Sequence, residues 1–268
     1  MENELLKTKL RGLHFAMDHM SDVVKKIRHN RDKIDLSACY GSLAADNLII
    51  GLFRYFVEGN VDDFKQHLYT ACQLKLAEFA INSHQRFEIG YEILFALFSD
   101  SPAMIKAVAN FESKEFVDSC ENPIRPQFRV HMWQLALRGE YVALEDKIRR
   151  LAKNGRNPER TLASEGSDFF SLLIKNSKPD LEARIKEGAN AQNADAITEG
   201  YISFPAALEA KLCWYRGIQV GVDHPLVPME LMPILPLEHY AEVYDFLSPN
   251  YVPSSRGLIG RLSDFLKI

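Results

Sequence analysis

Eight histidines and four cysteines supply the first candidates for chemistry in this 268-residue chain. His14 and Asp18 stand four apart, with His19 next to Asp18. On a helix that spacing puts two donors on one face, where they can share a metal. A single helix still offers fewer ligands than a zinc site needs, so His14 reads as a core or boundary residue. His67 and Cys72 are five apart, a poor spacing for a nucleophile and its base, and nothing near Cys72 marks an activated thiolate. His131 and Trp133 sit in the apolar run "FRVHMWQLAL" and read as packing. Asp223-His224 is an acid–imidazole pair with no nucleophile on a recognisable turn beside it. No phosphate loop, dinucleotide fingerprint, HExxH or GxSxG motif occurs. The expectation is a protein with no catalytic residues, no metal, no cofactor and no small-molecule substrate. Asp223-His224 is where an enzyme reading would look first.

Charge is spread unevenly. "FESKEFVDSCE" carries Glu112, Glu115, Asp118 and Glu121 against one lysine. "KIRRLAKNGRNPER" carries Lys147, Arg149, Arg150, Lys153, Arg156 and Arg160 against Glu159. Solvated helix faces account for both runs. The functional alternative makes Glu112, Glu115, Asp118 and Glu121 a docking patch for a basic protein partner. The basic run has no interleaved aromatics to stack bases. The whole chain has 32 Lys and Arg against 36 Asp and Glu, a net charge of -4, so a nucleic-acid partner is not expected. Cys39, Cys72, Cys120 and Cys213 form no CxxC and read as free thiols of a reducing cytosol. The opening "MENELLKTKLRGLHFAMDHM" resembles neither a secretory signal nor a membrane anchor. A cytoplasmic protein with no membrane partner is expected.

The elements that must position these residues are helical. Leu5, Leu6, Leu10, Leu13, Met17, Met20, Val24 and Ile27 recur at spacings of three and four, which predicts a first helix ending near a left-handed cap at Asn30. "LSACYGSLAADNLIIGLFRYFVEGN" is apolar on most sides and predicts a central core helix broken at Gly59-Asn60. Four segments then share a rhythm: "FVEGNVDDFKQHL", "LFSDSPAMIKAVA", "ALRGEYVALEDKI" and "LIKNSKPDLEARI". Each has an apolar helix end, a polar turn, and a helix whose first inward residue falls at one place: Phe64, Ile105, Leu144 or Leu181. That spacing near forty fits stacked helical hairpins, or the ordinary rhythm of an antiparallel bundle with short turns. Caps are expected at Ser101 before Pro102, at Ser177 before Pro179, at Asn157 before Pro158, and at Ser167.

After Tyr215 the pattern changes. "IQVGV" alternates like an extended segment, and Pro225, Pro228, Pro233 and Pro236 forbid helix. Leu226, Val227, Met229, Leu231, Met232, Ile234 and Leu235 must be buried somewhere. The expected fold is one all-α domain of antiparallel helical hairpins, bundle or repeat-like stack, over residues 1–268. A helical body fills 1–215. An extended proline-rich strap and C-terminal helices, the first at "LEHYAEVYDFL", fill 216–268.

The stretch from Phe204 to Leu247, with "GIQVGVD", "PLVP" and "LMPILPLEHY" following an apolar helix, resembles the end of bacterial polymorphic-toxin immunity proteins, most closely the immunity protein 49 group. The resemblance covers a small part of the chain, and its motifs are structural. It implies a cytoplasmic protein that binds and neutralises a cognate toxin, without catalysis or cofactor. It carries over no contact residues. A helical-repeat adaptor for a peptide or protein is the alternative.

Overall fold

Amphipathic segments separated by short polar turns give twelve α-helices in the computed structural model of the protein, which describes residues 2–82, 90–190, 200–248 and 250–251. The side chains of residues 2–6, 8 and 190 lie outside this description, and with them Leu5 and Leu6 of the first apolar stripe. In chain order the helices are α1 (Glu2–Asn30), α2 (Leu36–Phe56), α3 (Val61–Ile81), α4 (Tyr91–Ser99), α5 (Pro102–Ala109), α6 (Lys114–Ser119), α7 (Pro126–Arg138), α8 (Tyr141–Asn154), α9 (Glu159–Glu165), α10 (Phe169–Lys175), α11 (Lys178–Asn190) and α12 (Phe204–Tyr215). There is no β-strand among the described residues.

The forty-residue rhythm has a backbone cause. Helices pair as α2/α3, α4/α5, α7/α8 and α10/α11. Each pair turns through one residue in the left-handed region: Gly59 (φ 71°), Asp100 (φ 57°), Gly139 (φ 73°) and Asn176 (φ 54°). Each stands two residues before the next helix and five before Phe64, Ile105, Leu144 or Leu181, all of them buried. Glycine reaches that region freely, and Asp and Asn tolerate it. Asn60 and Ser101 then cap α3 and α5 by accepting the amides of Asp63 and Met104. Successive pairs pack on one another, and α12 lies against both α11 and α4, so the stack closes on itself. Helix α12 is buried along most of its length, Glu209 and Lys211 included. Helix α2, apolar enough in length and composition to cross a membrane, is packed between α1 and α3.

Several local expectations shift. Asn30 is not left-handed (φ -134°); a 3₁₀ turn, Arg31–Lys33, follows α1 directly. Helix α1 buries Leu13, Ala16, Val23 and Ile27, while Leu10 and Met17 are exposed, so its inward stripe is rotated from the expected one. Asp168, one residue after Ser167, caps α10 by accepting the amides of Phe170 and Ser171. Pro158 precedes α9, with no side-chain cap from Asn157.

The strap follows a turn at Gly217 (φ 84°) and is extended from Ile218 apart from a turn at Pro225–Leu226 and a 3₁₀ turn at Met229–Leu231. Val220, Val222, Val227, Leu231 and Met232 are buried, whereas Leu235 is exposed. The expected helix at "LEHYAEVYDFL" is not one: 237–244 is extended and only Asp245–Leu247 form a 3₁₀ turn. Its backbone groups bond to side chains instead. Leu237 N donates to Tyr240 Oη and Ala241 N to Gln66 Oε1, while Gln66 Nε2 donates to Ala241 O. Tyr240 stacks on Tyr69, and Tyr244 stacks on Phe246. The expected helical continuation past residue 251 lies outside the described residues.

Candidate functional site

One member of the acidic stretch is engaged within the chain. Glu112 and Asp118 are exposed and Glu115 is half-buried, but Glu121 is held by the basic run. Lys147 Nζ lies 2.6 Å from Glu121 Oε1, and Arg150 donates to both Glu121 Oε2 and its carbonyl. The two charge runs that the sequence separates by about twenty-five residues thus meet at Glu121. Burial alone would raise the Glu121 carboxyl; hydrogen bonds from Lys147 and Arg150 bring it below its usual range. As a docking acid for a basic partner, Glu121 is spent.

The same place brings Cys120, Glu121 and His131 donors within 4.8 Å of one another, a grouping of metal-ligand types. The Lys147 ammonium sits among them, 2.6 Å from Cys120 O as well as from Glu121. Burial, then the Lys147 charge, pushes the His131 imidazole down to about 4, and burial raises the Cys120 thiol. The Glu121 oxygen of that grouping is thus already paired with an ammonium. The arrangement fastens the loop after α6 to α8.

His224 opens a turn through Pro225–Leu226, with Asp223 just before it. His224 Nδ1 accepts the Leu226 amide at 3.2 Å, and Val227 N donates to His224 O. His14 is exposed, not a boundary residue; His19, not His14, finds a carboxylate, Asp46 Oδ2 at 2.7 Å. His67 is bonded to Asn47 Oδ1 at 2.9 Å, and burial lowers it to about 4. The Cys72 thiol meets Glu92 O, away from His67, and burial raises it above its usual range.

A buried cluster that no sequence motif marks holds the strap. Asp100 has Lys65 Nζ at 2.9 Å from Oδ2 and Lys211 Nζ at 2.6 Å from Oδ1, with Asp100 and Lys211 side chains 0% exposed. Lys211 also donates to Leu231 O (2.7 Å) and Pro233 O (3.0 Å), Lys65 donates to Leu235 O, and Leu235 N donates to Asp100 Oδ2 (3.2 Å). Burial pulls Lys211 down to about 8 against the opposing pull of Asp100. Buried charges persist when paired and hydrogen-bonded, and the strap carbonyls complete that set.

A broad concavity lies elsewhere. A groove of about 920 Å³ runs between the Pro123–Pro126 loop, α7, α9, α10 and the facing ends of α11 and α12. Arg125, Arg129, Arg156 and Arg184 line it. Arg129 bonds to Glu159 and lies 3.5 Å from Glu209 Oε1, over the Trp133 ring. Glu209 is 5% exposed, and burial raises its carboxyl to about 7, opposed by Arg129. Trp133, Phe169 and Phe170 pack edge-on and tilted beneath, almost closed to solvent. The wall open to solvent includes Ile124 and Pro126, both exposed, with Leu162, Pro205, Tyr91, Arg129, Glu159 and Arg184 half-buried. The groove draws on residues from 91 to 209, which share no motif; the one local trace was Arg156 in the basic run.

Comparison with protein-family models, curated proteins and solved structures finds no match to this chain.

Proposed function

We propose that this chain acts by binding: it is an immunity protein that holds and neutralises a cognate bacterial toxin in the cytoplasm, with no chemistry of its own. The observation that carries the reading is how the fold uses its charged clusters. Asp100, Lys65 and Lys211 fasten the strap across the body, and Glu121, Lys147 and Arg150 fasten the α6 loop to α8. Both spend ionisable groups on a fixed shape, and a preorganised surface loses little entropy on association. The toxin as partner rests on the likeness of Phe204–Leu247 to the immunity protein 49 group.

A second reading, a helical-repeat adaptor for a peptide or protein, is favoured by the turn that the four hairpins share, because stacked repeats present extended binding surfaces. Co-expression with a toxin encoded beside this chain separates the two. Restored growth together with a stable complex is the expected result. A complex without protection supports the adaptor, and undiminished killing without a complex removes the inhibitor reading.

A further inference from the structure

The groove beside α7 sets four arginines against three acids, Glu159, Asp168 and Glu209, and two of the arginines stand apart from those acids. The protein as a whole carries -4, yet Arg125 and Arg156 stand exposed at this groove. Neither has a carboxylate within ion-pair reach among the described residues. The other exposed lining residues are Ile124 and Pro126, with Leu162 and Pro205 half-buried. Trp133, Phe169 and Phe170 beneath show almost no face, and Tyr91 is the one half-buried ring in the lining, so a run of stacked bases finds little purchase. A side-chain anchor flanked by carboxylates fits this surface: the apolar group fills the aliphatic lining, and guanidinium forks take carboxylates two bonds at a time. Guanidinium groups are also frequent at the energetic centres of protein interfaces.

We propose that this groove is the partner-docking site, and that it takes an extended acidic segment of a protein partner, with an apolar residue seated between Arg125 and Arg156. The inference rests on the binding reading above and names its surface and the partner's charge. It replaces the acidic stretch at Glu112–Glu121 as the contact region and reverses the sign expected of the partner.

The test pans a random peptide library, about twelve residues long, on the full chain and on the Arg125→Glu/Arg156→Glu variant in parallel. Both positions are exposed, and matching thermal melts check that the reversals leave the fold intact. Peptides selected by the wild type are expected to carry an acidic excess around an apolar residue. By fluorescence anisotropy they should lose at least about tenfold in affinity for the double variant, and weaken between about 50 and 300 mM NaCl. An empty selection, peptides without acidic excess, equal binding to both proteins, or preferential binding of single-stranded oligothymidine each overturns it. If a toxin complex survives both reversals, the groove assignment falls and the inhibitor reading stands. If acidic peptides bind the groove but no toxin is neutralised, the groove stands and the inhibitor reading falls.

Discussion

Two clusters in this protein have nearly the same membership and opposite settings. Around Asp100, one carboxylate takes Lys65 and Lys211 with no solvent contact on its side chain. Around Glu121, one carboxylate takes Lys147 and Arg150 while its own side chain is 53% exposed. Each ties a distant segment to a helix: the strap to α12 in the first, the α6 loop to α8 in the second. The contrast teaches that burial, more than the count of charges, sets what a cluster is worth. Removing one member from water-excluded surroundings strands a charge, whereas at the surface water takes its place.

The comparison breaks if Asp100→Ala costs no more than Glu121→Ala. Asp100→Ala is expected to lose about 3–5 kcal/mol, because two lysines are left without their counter-charge. Urea unfolding measures it. A companion replacement sharpens the point: Lys65→Met, Asp100→Leu and Lys211→Met together should recover much of that loss, since a well-packed apolar set carries no stranded charge.

Glu209 supplies an intermediate case. It is buried nearly as deeply as Asp100, but its guanidinium neighbour lies at 3.5 Å and is shared with Glu159. Its carboxyl, raised to about 7, stays protonated in the folded chain at pH values where the unfolded chain has ionised it. Its contribution is therefore fully present below the unfolded value near 4.5 and is lost as pH rises through about 7. Between pH 5 and 8, Glu209→Gln should gain on the wild type by roughly 3 kcal/mol, measured by urea unfolding across that range. An unchanging gap would show that Arg129 keeps Glu209 ionised throughout. His67, lowered to about 4, acts in the opposite direction, losing stability as pH falls from about 6.5 to 4. In His67→Asn that acid-side loss should shrink.

The smallest effects belong to the surface. Glu121→Gln should cost about 1 kcal/mol or less, because Lys147 keeps its bond to Cys120 O. A loss as large as that of Asp100→Ala would mean the two clusters do not differ in kind.

What the sequence reveals here follows from how far each determinant reaches along the chain. The hairpin turns are legible because their rules lie within five residues: a left-handed position, a cap, and an inward apolar side chain. The strap is legible because proline excludes helix wherever it stands. The 237–247 segment misleads. Leu237, Tyr240 and Tyr244 have helical spacing, but the Tyr69 ring and the Gln66 amide outcompete the helix for its side chains and backbone. Lys65, Asp100 and Lys211 are invisible because residues 35 and 111 apart converge only through the closure of α12 onto α4. The groove is hidden for the same reason, and so is the pairing of Glu121 with Lys147, which nothing local reveals.

The belt has one more consequence, in time instead of space. During translation Lys65 and Asp100 leave the ribosome long before Lys211 and the carbonyls of Leu231, Pro233 and Leu235 exist. Until then Lys65 and Asp100 have each other as charged partner but lack Lys211 and the Leu235 carbonyl that complete the set. A chain cut short before Leu235 is expected to lack the acceptor that Lys65 uses there, and with it part of the cover over this centre.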